Sequence, residues 1–178
     1  MQREAQMKVL ELFSGTGVMS AAFRARGHDA FTVDWDADRK PDLCCDIGTL
    51  EVSDILNTLG QPDVVWMSPD CTTYSVMCIS KHRDGVKPRS EYAAQCDAVN
   101  EHVCDLIREL KPRVWFIENP VGMLRKMPFI EQLMHDTGGH RHTITYCQYG
   151  ERRQKPTDIF TNHPDPKFKP PCRRGAPC

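Results

Sequence analysis

The sequence predicts one α/β domain, built on a mostly parallel β-sheet with helices on both faces. Three observations carry this. Short apolar runs, MKVLELF at 7–13, DVVWM at 63–67 and VWFI at 114–117, alternate with segments whose apolar residues recur at helical spacing, which is the pattern of β-α-β units. Each run stops at a turn or an acidic residue, as at Ser14-Gly15, Ser68-Pro69 and Glu118-Asn119, and parallel sheets carry their ligands at those strand ends. The 178 residues, 40% hydrophobic and 26% charged, suffice for one ordinary core.

Taken in order, Met7 to Phe13 is a strand that ends at the turn Ser14-Gly15-Thr16-Gly17. Val18, Met19, Ala22 and Phe23 then follow at helical spacing, and Gly27 closes that helix. Ala30 to Val33 is the second strand and leads into Asp34-Trp35-Asp36. Asp42 to Ile47 is a short third strand, and a helix follows over Leu50 to Leu59. Asp63 to Met67 is the next strand. After a polar stretch from Lys81 to Ser90, the positions Tyr92, Ala93, Cys96, Val99, Val103, Ile107 and Leu110 mark a helix over Glu91 to Leu110, and Pro112 stops it. Val114 to Ile117 is a strand delivering Glu118-Asn119, with Pro120 fixing a turn. Phe129 to His135 is helical, and His140 and His142 beside Gly138-Gly139 mark a turn. Thr143 to Tyr146 and Asp158 to Thr161 are the last strands. Residues 1–162 are expected to form the domain, and 163–178, with five prolines and several basic residues, an extended tail.

Bulk properties narrow the function classes. A formal charge of −1, from 23 basic and 24 acidic residues, gives no global attraction to a polyanion, so any nucleic-acid contact depends on local patches. No run of about 18 apolar residues exists to span a bilayer, and the amino-terminal residues lack a signal-peptide core. A soluble, cytoplasmic protein is expected. The nine cysteines are odd in number and mostly sit in apolar or helical segments, which fits reduced thiols better than a disulfide scaffold.

The strand ends hold the chemistry. A glycine turn between strand and helix lets backbone N–H groups approach a ligand closely, and Phe13-Ser14-Gly15-Thr16-Gly17 is such a turn. Asp34 ends the second strand, where a carboxylate pairs with ribose hydroxyls, and Trp35 beside it can cover an adenine. Asp46, at the end of the third strand, can accept from an exocyclic amine. The turn lacks G-x-G-x-x-G spacing and has no P-loop lysine. An adenosine with a charged amino-acid tail therefore fits better than a pyrophosphate, and S-adenosylmethionine is the favoured cofactor. Cys71 lies two residues past Pro69, exposed at the sheet's carboxyl edge, and a thiolate there is a nucleophile. Glu118, at the end of the next strand, can share a proton with a heterocyclic ring nitrogen.

These residues resemble, in order, the motifs of the cytosine-5 DNA methyltransferases. LELFSGTGVMSAAFRARGHD looks like the first cofactor motif, VDWD the second, CCDI the third, SPDCTTYS the Pro-Cys motif, LKPRVWFIENPVGML the Glu-Asn-Val motif, and YCQYGERRQKPTDIF the late arginine motif. The resemblance covers roughly residues 8 to 162 and implies a Rossmann-like methyltransferase fold. It implies that Cys71 attacks carbon 6 of a flipped cytosine, that Glu118 engages the ring nitrogen and amino group, and that Asn119 orders the loop. It implies that Phe13, Ser14, Gly15, Thr16, Gly17, Asp34, Trp35, Asp46, Ile47 and Pro69 hold S-adenosylmethionine. In the late motif Lys155 and Thr157 fall where arginines are usual, and Arg152 or Arg153 can substitute; Arg153 and Lys155 are the catalytic candidates. This chain departs at Pro69-Asp70-Cys71-Thr72, where the family has Pro-Pro-Cys-Gln, and at Pro120, where it has valine. Members usually continue into a target-recognition region and a final helix. The expectation is a truncated chain, completion by a second chain, or a minimal phage-like enzyme.

Lys81, His82, Arg83, Lys87 and Arg89, just after Cys71, are expected to contact DNA phosphates, and Lys167, Lys169, Arg173 and Arg174 form a second basic cluster. Cys147, His163, Cys172 and Cys178 lack the paired spacing of a zinc set. Besides DNA methylation, two readings stay open: a non-catalytic methyltransferase-like subunit, and an enzyme modifying RNA or free pyrimidine nucleotides.

Overall fold

The computed structural model describes residues 5–173. In chain order the elements are β1 (Lys8–Leu12), α1 (Val18–Arg24), β2 (Asp29–Asp34), β3 (Leu43–Cys44), α2 (Val52–Thr58), β4 (Val64–Met67), α3 (Ile79–His82), β5 (Arg83–Asp84), β6 (Lys87–Pro88), α4 (Glu91–Leu110), β7 (Val114–Pro120), α5 (Pro128–Thr137), β8 (His140–Thr145) and β9 (Pro156–Thr161). Seven strands form one sheet in the order β3-β2-β1-β4-β7-β9-β8. The first five are parallel, and β9 runs antiparallel to both neighbours. β5 and β6 form a separate small hairpin.

Alternation along the strands divides the core. Leu10, Leu12, Val65, Met67 and Ile117 face the larger cluster, which the apolar stripes of α2, α4 and α5 complete with Ile55, Ile107 and Ile130. Val9, Ala30 and Val64 face the other side, where Phe23 of α1 packs on them. Helices thus cover both faces, unequally. Glu11 also points to the α1 side, 4% exposed, because it has work there. The α1 N-cap is Gly17, which has no side chain, and the Glu11 carboxylate accepts the Ser20 N–H at 2.8 Å instead.

α4 is set by Ser90, whose hydroxyl accepts from the Ala93 N–H at 3.1 Å, and it ends at Lys111 in the left-handed region. α5 starts with Pro128 and stops at Gly138, again left-handed.

Several boundaries differ from the sequence expectation. The third strand shrinks to Leu43–Cys44, because Asp42 turns its side chain back to the Thr32 amide and hydroxyl. Pro120 is no turn residue: β7 runs through it, pairing Glu118 with Ile159 and Pro120 with Thr157. His140 and His142 lie within β8, extending the last hairpin upstream. Within 68–90, expected to be a loop, stand α3 and the β5-β6 hairpin. The segment 163–173 has no helix or strand and lies against the edge strand β8: Phe168 packs on His142 at 5.3 Å, and the Cys172 N–H donates to Thr145 Oγ1 at 2.7 Å. Such a strap protects an open edge. Arg174 and Cys178 lie outside the described residues. Among the described residues no helix is long and apolar enough to cross a membrane.

Candidate active site

The carboxyl ends of β1, β2, β3 and β4 border a cleft of about 890 Å³, lined by Phe13, Trp35, Asp46, Ile47, Thr49, Asp70, Tyr92 and Cys96 together with Gln95, Ala98, Val99 and Asn100 of α4. That volume lies in the range of roughly 300–1,000 Å³ usual for small-ligand sites. Phe13, Trp35, Asp46 and Ile47 of the cofactor set line it directly. Ser14, Gly15, Thr16 and Gly17 form the loop that follows Phe13, with Ser14 buried and Thr16 exposed. The loop places Phe13 (φ 55°), Gly15 (φ 50°) and Gly17 (φ 66°) in the left-handed region, which costs glycine little and phenylalanine more. Three backbone donors hold that shape: Ser14 N–H to the Val33 carbonyl (3.2 Å), Gly17 N–H to the Ser14 carbonyl (2.7 Å), and Gly15 N–H to Asp34 Oδ2 (2.8 Å).

Asp34 therefore acts as a brace. Its other oxygen accepts the Asp36 N–H at 3.0 Å, and the residue is only 6% exposed. It fixes the glycine loop against β2. Trp35 is 72% exposed at the cleft mouth. Asp46 accepts the Gly48 N–H through Oδ1 at 2.9 Å, and among the described residues its second oxygen has no protein donor.

At the reactive end, β4 and β7 are parallel neighbours with Met67 opposite Ile117. Cys71, four residues past the end of β4, and Glu118, near the end of β7, thus lie at the same end of the sheet. Asn119 ties the two segments: its Nδ2 donates to the Pro69 carbonyl at 3.0 Å, both residues being buried. Pro69 is held by this bond and does not line the cleft. Burial and the adjacent Asp70 charge push the Cys71 thiol above its ordinary range, against the opposing pull of the Lys155 ammonium; the Glu118 charge adds a smaller push in the same direction. Burial acts to raise Asp70, but hydrogen bonds from Thr72 and Tyr92 outweigh it and hold the carboxyl below the usual range. Asp70 and Thr72 thus form a closed unit, in which the Thr72 amide and hydroxyl both donate to Asp70 Oδ1 at 2.7 Å. Lys155 Nζ stands 3.9 Å from Glu118 Oε1. Arg153 is exposed and forms no ion pair with Glu118, and Arg152 is exposed beside it.

One face of α4 fastens the loop that carries Cys71. The Tyr92 hydroxyl donates to Asp70. The Tyr74 hydroxyl donates to Asp97 (2.7 Å) and accepts from Asn100 Nδ2 (2.9 Å). Arg83 is 2% exposed, donates to the Thr73 carbonyl (2.8 Å), and lies 4.2 Å over the Tyr74 ring. Arg83 is therefore a structural clamp and not the phosphate contact expected of it. Lys81, Lys87 and Arg89 stay exposed, with Arg89 reaching Asp84 at 3.4 Å, while His82 Nδ1 hydrogen-bonds with Ser90 Oγ at 2.9 Å. Sequence reading missed Tyr92, Asp97, Asn100 and Tyr146. Of these, Asp97 and Asn100 stand three residues apart on α4, where polar residues interrupt an otherwise apolar face; that interruption was the available signal.

No protein-family model and no curated protein matches the chain. Among solved structures it is similar to the Dnmt2 methyltransferase of S. pombe, with TM-score 0.62 and 18% identity over 88% of this chain and 49% of that one. It is similar to a putative DNA modification methyltransferase encoded within an E. coli prophage, with TM-score 0.65 and 18% identity over 88% and 46%. It is also similar to the Entamoeba histolytica methyltransferase EhMeth, with TM-score 0.65 and 14% identity over 97% and 58%. The chain spans about half the length of these structures. The fold is the Rossmann-like fold of S-adenosylmethionine-dependent methyltransferases.

Proposed function

We propose that this chain is a methyltransferase acting on carbon 5 of cytosine in DNA, with Cys71 as covalent nucleophile. The observation that carries the reading is the junction of β4 and β7, where Cys71 and Glu118 leave adjacent strand ends beside a cofactor-sized cleft. The cleft residues fit S-adenosylmethionine: Trp35 and Ile47 offer apolar surface to an adenine, Asp46 keeps a carboxylate oxygen for an amine, and the 13–17 loop takes the amino-acid end. When bound there, the cofactor supplies an electrophilic sulfonium methyl.

The chain's own residues prepare the acceptor. The Cys71 thiolate adds to carbon 6 of the cytosine, and the electron pair moves onto the ring, making carbon 5 nucleophilic. Glu118 holds the ring nitrogen and exocyclic amine so that this charge is neutralised as it develops. Asn119 keeps the two groups in register through Pro69. The target base must leave its stack to reach a thiol at this depth. Exposed Lys81, Lys87 and Arg89 follow the nucleophile and give the phosphates a partner, and one fold neighbour is described as a DNA modification enzyme.

An oligonucleotide containing 5-fluorocytosine, incubated with S-adenosylmethionine, tests this. The expected result is a covalent protein–DNA adduct with the wild-type chain and none with Cys71→Ser. No adduct with the wild-type chain, or an adduct that persists in Cys71→Ser, overturns it. An adduct on RNA or nucleotide alone would move the substrate class. Cofactor binding without any adduct would leave a non-catalytic subunit.

A further inference from the structure

Both neighbours of Glu118 act on a single oxygen. The Tyr146 hydroxyl donates to Oε1 at 2.8 Å, and Lys155 Nζ stands 3.9 Å from the same atom. The two neighbours are themselves joined: Lys155 Nζ lies 4.9 Å from the centroid of the Tyr146 ring, and the Tyr146 N–H donates to the Lys155 carbonyl at 3.3 Å. Tyr146 opens the short turn Tyr146–Tyr149 directly after β8, and Lys155 precedes β9, so the pair closes the end of that hairpin against β7. Among the described residues Oε2 has no protein partner, while the Glu118 side chain keeps 12% exposure.

We propose that Tyr146 is a positioning residue for Glu118: its hydroxyl fixes Oε1 and so presents Oε2 to the ring nitrogen and amine of the target base. This rests on the role given to Glu118 above. A glutamate side chain has three rotatable bonds, and a group that must meet a planar heterocycle edge-on gains from having one oxygen tethered in advance. Lys155 alone would not suffice, because a flexible ammonium at 3.9 Å attracts without setting an angle. Toward the Glu118 carboxylate the phenol is the donor. Burial, with the Glu118 charge adding to it, pushes Tyr146 well above its ordinary range, so the proton remains on the hydroxyl at any working pH. The arginines usual in the late motif are thereby replaced by a tyrosine from the turn that follows β8, with Lys155 supplying the charge.

Tyr146→Phe is the informative change, since it keeps the ring and the Lys155 contact and removes only the hydroxyl. Its methyl transfer to a cytosine oligonucleotide is expected to fall about 100-fold, with S-adenosylmethionine affinity and the KM for DNA within twofold of wild type. In a Glu118→Ala background the same change is expected to have no further effect, because it acts through Glu118. A wild-type rate in Tyr146→Phe, or a loss that adds to that of Glu118→Ala, overturns the proposal. A second readout needs no activity. In protein labelled with carboxyl-¹³C glutamate, the Glu118 resonance, assigned by its loss in Glu118→Gln, should move in Tyr146→Phe and stay in place in Tyr149→Phe. An unmoved resonance overturns the proposal even if the wild-type chain proves inactive on cytosine, whereas that inactivity by itself overturns only the functional reading.

Discussion

Arg83 and Asp97 form a two-pronged ion pair at 2.6 and 2.9 Å directly beneath the loop that carries Cys71. The Arg83 side chain is wholly buried and that of Asp97 17% exposed. Removing one partner leaves an uncompensated charge, which costs about 3–5 kcal/mol, whereas replacing both with apolar residues costs far less. Asp97→Ala is expected to lose stability of that order in urea unfolding, and Arg83→Met with Asp97→Leu is expected to lose less than Asp97→Ala alone. A double variant as unstable as the single one would mean that packing, and not charge, sets the loss.

Asp70 directly precedes the nucleophile, and the next expectation concerns its charge. The Cys71 thiol is raised first by burial and then by Asp70. Only the thiolate alkylates, so in the wild-type chain Cys71 modification climbs late as pH rises. Asp70→Asn keeps an acceptor for the Thr72 amide but removes the negative charge, and the climb should begin at lower pH. Well below the midpoint, the thiolate fraction grows roughly tenfold when the midpoint falls by about one pH unit. Iodoacetamide labelling across pH, quantified on the Cys71 peptide, measures this. A profile unchanged in Asp70→Asn would assign the raised value to burial alone.

The parts of the site that follow from strand ends were legible in the sequence. Short apolar runs located β1, β4 and β7, and parallel pairing then brought Cys71 and Glu118 to one edge. What stayed hidden depends on side chains choosing partners far away in sequence. Asp34 reads as a strand-end carboxylate, and its hold on the Gly15 and Asp36 amides shows only in the fold. Arg83 reads as part of a basic patch because its partner Asp97 lies 14 residues on. Glu11 carries no signal within the run MKVLELF, since only the fold sets it under the uncapped start of α1. Pro120 reads as a turn, although in β7 it is the last residue of the strand and pairs with Thr157. Local propensity cannot see any of these.

Trp35 is among the largest exposed apolar side chains, and it lines the cleft mouth. An aromatic surface left open beside a braced glycine loop is costly unless a ligand covers it. Trp35→Ala is expected to weaken S-adenosylmethionine binding roughly tenfold, about 1.4 kcal/mol, without lowering the thermal midpoint. Calorimetric titration of both proteins gives the ratio. Equal affinities would remove Trp35 from the cofactor site.

Gly122 supplies the sharpest steric test of the loop's placement. The segment after Cys71 is pinned to the chain beyond β7 by the Ser75–Gly122 bridge and by the Met123 N–H, which donates to the Tyr74 carbonyl at 2.7 Å. A Cβ on Gly122 would sit 2.2 Å from that same carbonyl oxygen, a backbone atom that cannot swing aside. Its φ of −174° is open to any residue, so the cost of Gly122→Ala is contact and not backbone strain. Relief requires the Tyr74 carbonyl to retreat and the bridge to open, which shifts the loop carrying Cys71 relative to Glu118. The cofactor cleft, built from β1, β2, β3 and α4, does not include this contact. Gly122→Ala should therefore slow adduct formation on 5-fluorocytosine DNA by about 100-fold while S-adenosylmethionine affinity stays within twofold. Loss of both together would mean that the bridge supports the whole sheet edge and not the nucleophile loop alone.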